Sequence, residues 1–178
     1  MIRKILSYGS IAGLIVGLPL FAVTVALQGH PSPSWGVALG YATMLVALSL
    51  VFVAVKRHRD EACGGVIGFW PAFGLGLAIS GVASAGYVLA WELALAVTGI
   101  DFGADYARAV IESKRAAGLD GAALEKLRGE METVARQYRN PLYRVPMTLL
   151  EILPVGLLVS AVSAGLLRNS RFMPARRR

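Results

Sequence analysis

Glu92 and Glu151 are the residues of this chain whose chemistry and position combine into something usable. Each stands inside an apolar run, and an intramembrane carboxyl is a functional candidate by default. Glu92 is the only charged residue between Phe69 and Val97, and Glu151 the only one between Pro146 and Leu167. If those runs are consecutive antiparallel helices, both carboxyls are expected roughly 8–9 Å below the same membrane face, at 1.5 Å per residue. Two such groups in a low dielectric cannot both ionise readily. They would share a proton, pair with a cation such as Arg144 reaching down from the interface, or bind a proton or cation in a transport or sensing cycle. The plainer alternative is a polar clamp between two helices.

Other chemistry is thinly represented. No nucleophile, histidine or metal cluster accompanies the glutamates, so no catalytic residue is assigned and no enzyme is expected. The single cysteine, Cys63, and the two histidines, His30 and His58, have no zinc-ligand spacing. Neither a metal nor a cofactor is expected.

The elements that must carry the two carboxyls follow from composition and hydropathy. Of the 178 residues, 56% are hydrophobic and only 16% charged, with a mean hydropathy of +0.59. An average soluble protein is roughly 25% charged. Apolar surface on this scale faces lipid. A crossing takes roughly 20 residues, and the runs that satisfy it lie at about 5–27, 36–55, 69–97 and 146–167.

Arg3 and Lys4 precede the first run, which is uncharged from Ile5 to Leu27 and about 34 Å long as a helix. A cleaved signal peptide, with Thr24-Val25-Ala26 as its processing site, is the competing reading, but the apolar body exceeds the usual 7–15 residues. Gly9, Gly13 and Gly17 share one helical face, which lets another backbone approach closely, either within the chain or in a second copy. Pro19 is expected to bend this helix.

Gln28 to Ser34 reads as an uncharged turn, with Trp35 as an interfacial aromatic. The second run pairs Gly36 with Gly40 and ends in Lys56-Arg57-His58-Arg59-Asp60-Glu61, expected to be a short charged loop. In the third run Gly74, Ala78, Gly81, Ala85, Val88 and Glu92 fall on one mostly small face, expected to pack against other helices. In the fourth, Pro146 suits the first helical turn and Pro154 would kink the helix beside Glu151. Gly156, Ser160 and Ala164 form another small face.

Residues 101–140 differ in kind. Phe102, Tyr106, Ala109, Val110 and Ser113 form one helical stripe. Leu124, Leu127, Met131, Val134 and Tyr138 form a second, after Gly118 and Gly121. Two amphipathic helices are expected, forming a hairpin that Asn140-Pro141 closes.

Charge sets the orientation. The N-terminus, the 56–61 segment and the tail carry ten basic residues against Asp60 and Glu61, whereas 101–145 carries eight basic and seven acidic. By the positive-inside rule both termini are cytoplasmic and the hairpin is outside. The tail arginines Arg168, Arg171, Arg176, Arg177 and Arg178 suit anionic lipid head groups. Nucleic-acid binding, which would need a folded basic surface or motif, is not expected.

Short motifs along nearly the whole chain carry a resemblance. They are Lys4-Ile5-Leu6-Ser7-Tyr8-Gly9 with Ile11-Ala12-Gly13, Gly40-Tyr41 with Met44, and Arg59-Asp60. They continue with Gly64-Gly65-Val66-Ile67-Gly68-Phe69, Ala72-Phe73-Gly74, Asn140-Pro141 and Glu151-Ile152-Leu153-Pro154-Val155-Gly156. In these the chain resembles the domain-of-unknown-function 4199 family of small four-span bacterial membrane proteins. The resemblance implies a bacterial inner-membrane protein and carries over no catalytic or binding residue.

The expected fold is therefore an all-α integral membrane protein with four transmembrane helices and an extramembrane hairpin between the third and fourth. The leading expectation is a non-enzymatic envelope protein acting by helix packing and partner contacts, with lipids, a homo-oligomer or another membrane protein as partners. The alternative is a proton- or cation-coupled transport or channel subunit using Glu92 and Glu151.

Overall fold

A computed structural model describes residues 2–27 and 36–174. The 28–34 turn, Trp35 and the tail arginines Arg176, Arg177 and Arg178 lie outside the described residues. The described residues form six helices and no strand: α1 (Ile2–Leu27), α2 (Gly36–Ala62), α3 (Phe69–Thr98), α4 (Phe102–Ala116), α5 (Gly121–Tyr138) and α6 (Pro141–Leu167). Four are long and apolar enough to cross a membrane: Ile2–Leu27, Gly40–Ala62, Phe69–Thr98 and Pro141–Leu167.

These four pack as a bundle with α3 at its centre, against α1, α2 and α6. The buried apolar side chains bear this out, with Leu48 and Val51 from α2, Ile79 and Ala83 from α3, and Ile152 and Leu167 from α6. The α1/α3 contact depends on missing side chains. A Cβ on Gly86 would lie 3.0 Å from the Gly13 Cα, and one on Gly9 would lie 2.5 Å from the Val82 Cβ. Gly17 completes the row against Ala90. The glycine face of α1 is thus occupied within the chain.

The α3/α6 contact repeats the device with serine. Gly156 lies against Ser80 and Gly76 against Ser160, while the Ser80 and Ser160 hydroxyls are 3.3 Å apart. Each hydroxyl has a partner that keeps it satisfied away from water: Ser160 donates to the Gly156 carbonyl at 2.7 Å, and Ser84 to the Ser80 carbonyl at 2.8 Å.

Three expectations need correction here. Gly81, placed on the packing side of α3, is exposed with open space where a Cβ would go. The buried face contains Gly76, Ser80, Ala83, Tyr87 and Trp91 instead, because α3 is packed against α1, α2 and α6 together. Lys56–Glu61 is not a loop but the last turns of α2. Lys56 pairs with Asp60 at 2.5 Å and Arg57 with Glu61 at 2.5 Å, each four residues on, and these pairs sustain the helix. Gly65, at φ +86°, then donates to the Arg59 carbonyl at 3.0 Å and ends it.

The third correction concerns α6, whose first turn is set by Asn140 and Pro141 rather than by Pro146. The Asn140 side chain accepts from the Leu142 N–H at 3.0 Å, and Pro141 has no N–H to leave unpaired. Pro146 and Pro154 both lie inside the helix.

At the other end of the bundle Arg59, part of the segment expected to be a solvated loop, has no exposed surface. Its guanidinium donates to the carbonyls of Leu167, Phe172 and Met173, and to Asp60 at 2.8 Å. The chain after α6 is folded back over the end of α2. Arg168 and Arg171 are exposed on it.

Helices α4 and α5 pack on each other, and α5 also touches α6. On α5 the expected stripe is the more buried side, with Leu124 the most covered. On α4 the stripe is displaced by one residue. Gly103 and Ala107 are buried, whereas Tyr106 and Ala109 are exposed. The reason is that Gly103 sits directly on Ala135 and Tyr138, where a larger residue would not fit.

Candidate functional site at the α3–α6 end

The last turns of α3 carry Tyr87, Trp91 and Glu92. Gly99 ends the helix in the left-handed conformation, φ +66°, with its N–H on the Leu95 carbonyl at 2.9 Å. The chain turns at once into α4, whose N-cap Asp101 accepts from the Ala104 N–H at 3.2 Å. The α5–α6 junction approaches the same place from the other side and brings Tyr138, Arg139 and Arg144.

Glu92 pairs with Arg144. Nε of Arg144 donates to Oε1 at 2.7 Å and Nη2 to Oε2, a two-pronged arrangement that matches guanidinium to carboxylate. The side chains are 28% and 14% exposed, so water competes weakly for either. Arg144 also lies 6.0 Å from the Tyr138 ring centroid. Tyr138 in turn accepts from Trp91 Nε1 at 3.0 Å, and Phe102 meets Trp91 edge-on with centroids 4.9 Å apart. One aromatic group thus joins α3, α4 and α5. Burial raises the Tyr138 hydroxyl above its usual range, so it stays protonated.

A second ion pair closes the rim. Arg139 donates to Oδ2 of Asp101 from Nε at 2.8 Å and from Nη2 at 2.5 Å. That bond holds the Asp101 carboxyl below the usual carboxylate range, against a smaller opposing effect of burial. Between the two ion pairs lies a cleft of about 330 Å³.

Glu151 is not part of this network. It faces the Tyr87 hydroxyl, and it makes no hydrogen bond to Glu92 among the described residues. The expected equal depth of the two carboxyls fails because α6 begins five residues earlier than Pro146 suggests. Arg144, only three residues after Pro141, is level with Glu92, and Glu151 is seven residues further on. It therefore lies roughly 10 Å deeper along the helix. Of the three fates open to the carboxyls, Glu92 has the guanidinium partner, and among the described residues no hydrogen bond joins it to Glu151.

Asp101, Trp91, Tyr138 and Arg139 did not stand out as site residues in the sequence. Tyr138 closes the α5 stripe and Trp91 precedes Glu92, but aromatic residues near span ends are ordinary interface anchors. The remaining expected positions are structural or peripheral. Gly9, Gly13, Gly17 and Gly156 lie at helix contacts, Pro154 is on the exposed side of α6, and Arg168 and Arg171 are at the opposite end of the bundle. Among the described residues no three His, Cys, Asp or Glu side chains gather as a metal site.

A family model described as Protein of unknown function (DUF4199) matches residues 7–169. Neither the curated proteins nor the solved structures give a match.

Proposed function

The chain belongs to the DUF4199 family of proteins of unknown function, and on that premise we propose a multi-pass bacterial inner-membrane protein that acts without catalysis, through helix packing and partner contacts. In this reading the four long helices cross the bilayer, both termini are cytoplasmic, and α4–α5 is a hairpin on the outer side. The excess of basic residues at the N-terminus, in 56–61 and in the tail supports that orientation. Arg168 and Arg171, exposed beyond α6, suit anionic head groups on the cytoplasmic face.

The observation that carries the non-catalytic reading is the Glu92–Arg144 pair. A carboxylate already neutralised by two charge-assisted bonds holds helices together and is not available as a general acid or base. The pair joins α3 to the start of α6, and Trp91, Phe102 and Tyr138 extend the joint to the hairpin.

Glu151 favours a second reading. It stands inside α6 with Tyr87 as its polar neighbour and makes no ion pair among the described residues, as would suit a group that takes up and releases a proton. A proton- or cation-coupled subunit would use it.

Reconstitution in proteoliposomes separates the two. The packing reading expects Glu92→Gln to lower detergent stability while neither Glu92→Gln nor Glu151→Gln alters pH-driven flux. Flux in the wild type that disappears in Glu151→Gln, with helicity intact, would establish transport instead.

A further inference from the structure

We propose that the cleft between the Glu92–Arg144 and Asp101–Arg139 pairs binds the headgroup of a zwitterionic phospholipid, its ammonium toward the carboxylates and its phosphate toward the guanidiniums. This rests on the four-span reading above, which puts the end of α3 at the boundary between lipid and water.

The wall of the cleft carries two acids and two bases. Such a set offers little to a simple anion or cation, because each approaching charge meets its own sign beside its partner. A ligand bearing both charges a few bonds apart satisfies both halves at once. The volume of about 330 Å³ is at the low end of small-ligand sites, right for a headgroup and too small for a large solute.

The donors are not exhausted by the ion pairs. A guanidinium carries five N–H bonds. Arg139 directs Nε and Nη2 at one oxygen of Asp101, and its Nη1 has no partner among the described residues. Nη1 of Arg144 has only the Tyr138 carbonyl, at 3.4 Å. Both arginines therefore retain N–H groups for a phosphate oxygen. The Phe102 and Tyr138 rings line the same space and suit the ammonium.

The lipid source is chosen by what lies below. Leu89, Leu93 and Ala96 are exposed on α3 at helical spacing, and Ala96 lines the cleft. They form an apolar track from the charged wall toward the middle of the span, where an acyl chain would lie. Glu92 is about 9 Å below the end of α3, so the site spans the depth between carbonyl and headgroup. A free phosphoethanolamine would meet the same charges and leave this track uncovered.

The test uses the full chain in detergent with phosphatidylethanolamine, its N-acetylated form and phosphatidylglycerol, all with the same acyl chains, and reads retained lipid by native mass spectrometry. The expected result is retention of phosphatidylethanolamine about tenfold above the other two, the effect of one charge-assisted hydrogen bond. Asp101→Asn, which keeps the N-cap acceptor, should remove that preference, Arg139→Gln should weaken retention of all three lipids, and Lys126→Gln, exposed on α5 and outside the cleft, should leave both unchanged. Equal retention of the three lipids by the wild type overturns the site whether or not the variants fold. Displacement of bound lipid by free phosphoethanolamine at equal concentration overturns the lipid source. Alkaline carbonate extraction of membranes separates the premises. Release of the chain defeats the four-span reading, whereas a retained chain without lipid preference defeats only the headgroup site.

Discussion

Arg59 and Met173 meet across 114 residues of chain, the Nη2 of a fully buried guanidinium donating to the Met173 carbonyl at 2.6 Å. Nη1 of the same group holds the Phe172 carbonyl at 3.0 Å, and the Phe172 ring meets Phe52 edge-on. The end of α2 is thereby tied to the segment that follows α6. Arg59→Met keeps the length and removes the donors from carbonyls that are buried at Leu167 and half-buried at Phe172 and Met173. The expected loss is about 3 kcal/mol or more. Trypsin should then cut at Arg168 and Arg171 faster than in the wild type, and unchanged protection there would count against the tie.

Glu92 and Arg144 should behave as a coupled pair. Glu92→Gln leaves a poorly solvated guanidinium and should cost about 2–4 kcal/mol. Arg144→Met should cost a similar amount. The double variant Glu92→Gln with Arg144→Met should cost clearly less than the sum of the single losses, because no charge is left unpaired. Thermal midpoints of the four proteins in one detergent give the coupling, and simple additivity would show that the pair is not clamped.

The glycines of α1 and α3 should divide sharply. Gly86→Ala places a methyl 3.0 Å from the Gly13 Cα, with only backbone to move aside, and should destabilise by about 1–3 kcal/mol. Gly81→Ala meets open space and should be neutral or slightly stabilising, as expected for alanine in place of glycine in a helix. Detergent melts of the two variants check the contrast, and similar shifts in both would mean that α1 is seated elsewhere.

Attachment of α4 should depend on pH through Asp101. Its carboxyl is held low in the folded state by Arg139, so it binds protons more readily when unfolded. The stabilisation is therefore present above the ordinary carboxylate value of about 3.9. It is lost as the pH falls through the lower folded value. Hydrogen exchange of the α4 amides should be unchanged between pH 5 and 7, once corrected for intrinsic rate, and should accelerate below about pH 4. Asp101→Asn should abolish that acid step; if the step survives, another carboxylate is responsible.

Tyr138→Phe tests the aromatic joint without changing its shape. Trp91 Nε1 loses its acceptor at 3.0 Å, at an expected cost of about 0.5–1.5 kcal/mol. Emission from Trp91, isolated by replacing Trp35 and Trp70, should shift. An unaltered spectrum and melting point would remove Tyr138 from the joint.

The motifs that carry the family resemblance acquire a physical basis here. Arg59-Asp60 contains the buried guanidinium, Gly64-Gly65 ends α2, and Asn140-Pro141 starts α6. Each is a place where a particular side chain, or its absence, is required by backbone geometry or an unpaired carbonyl. The burial of Arg59 is not visible in the motif alone, because the carbonyls it holds lie more than a hundred residues away.

By itself the sequence determined the helical class, the four long apolar helices and the separate character of residues 101–140. Helix formation and hydropathy are sums over neighbouring residues, and capping depends on groups a few positions apart. Only the tertiary structure decided that Glu92 meets Arg144 rather than Glu151, that Gly86 packs and Gly81 does not, and that Arg59 is buried. Those outcomes depend on how far each helix is rotated and slid against its neighbours, and a shift of one turn exchanges every partner along the contact. That offset is chosen by packing the whole bundle at once, so no local pattern contains it.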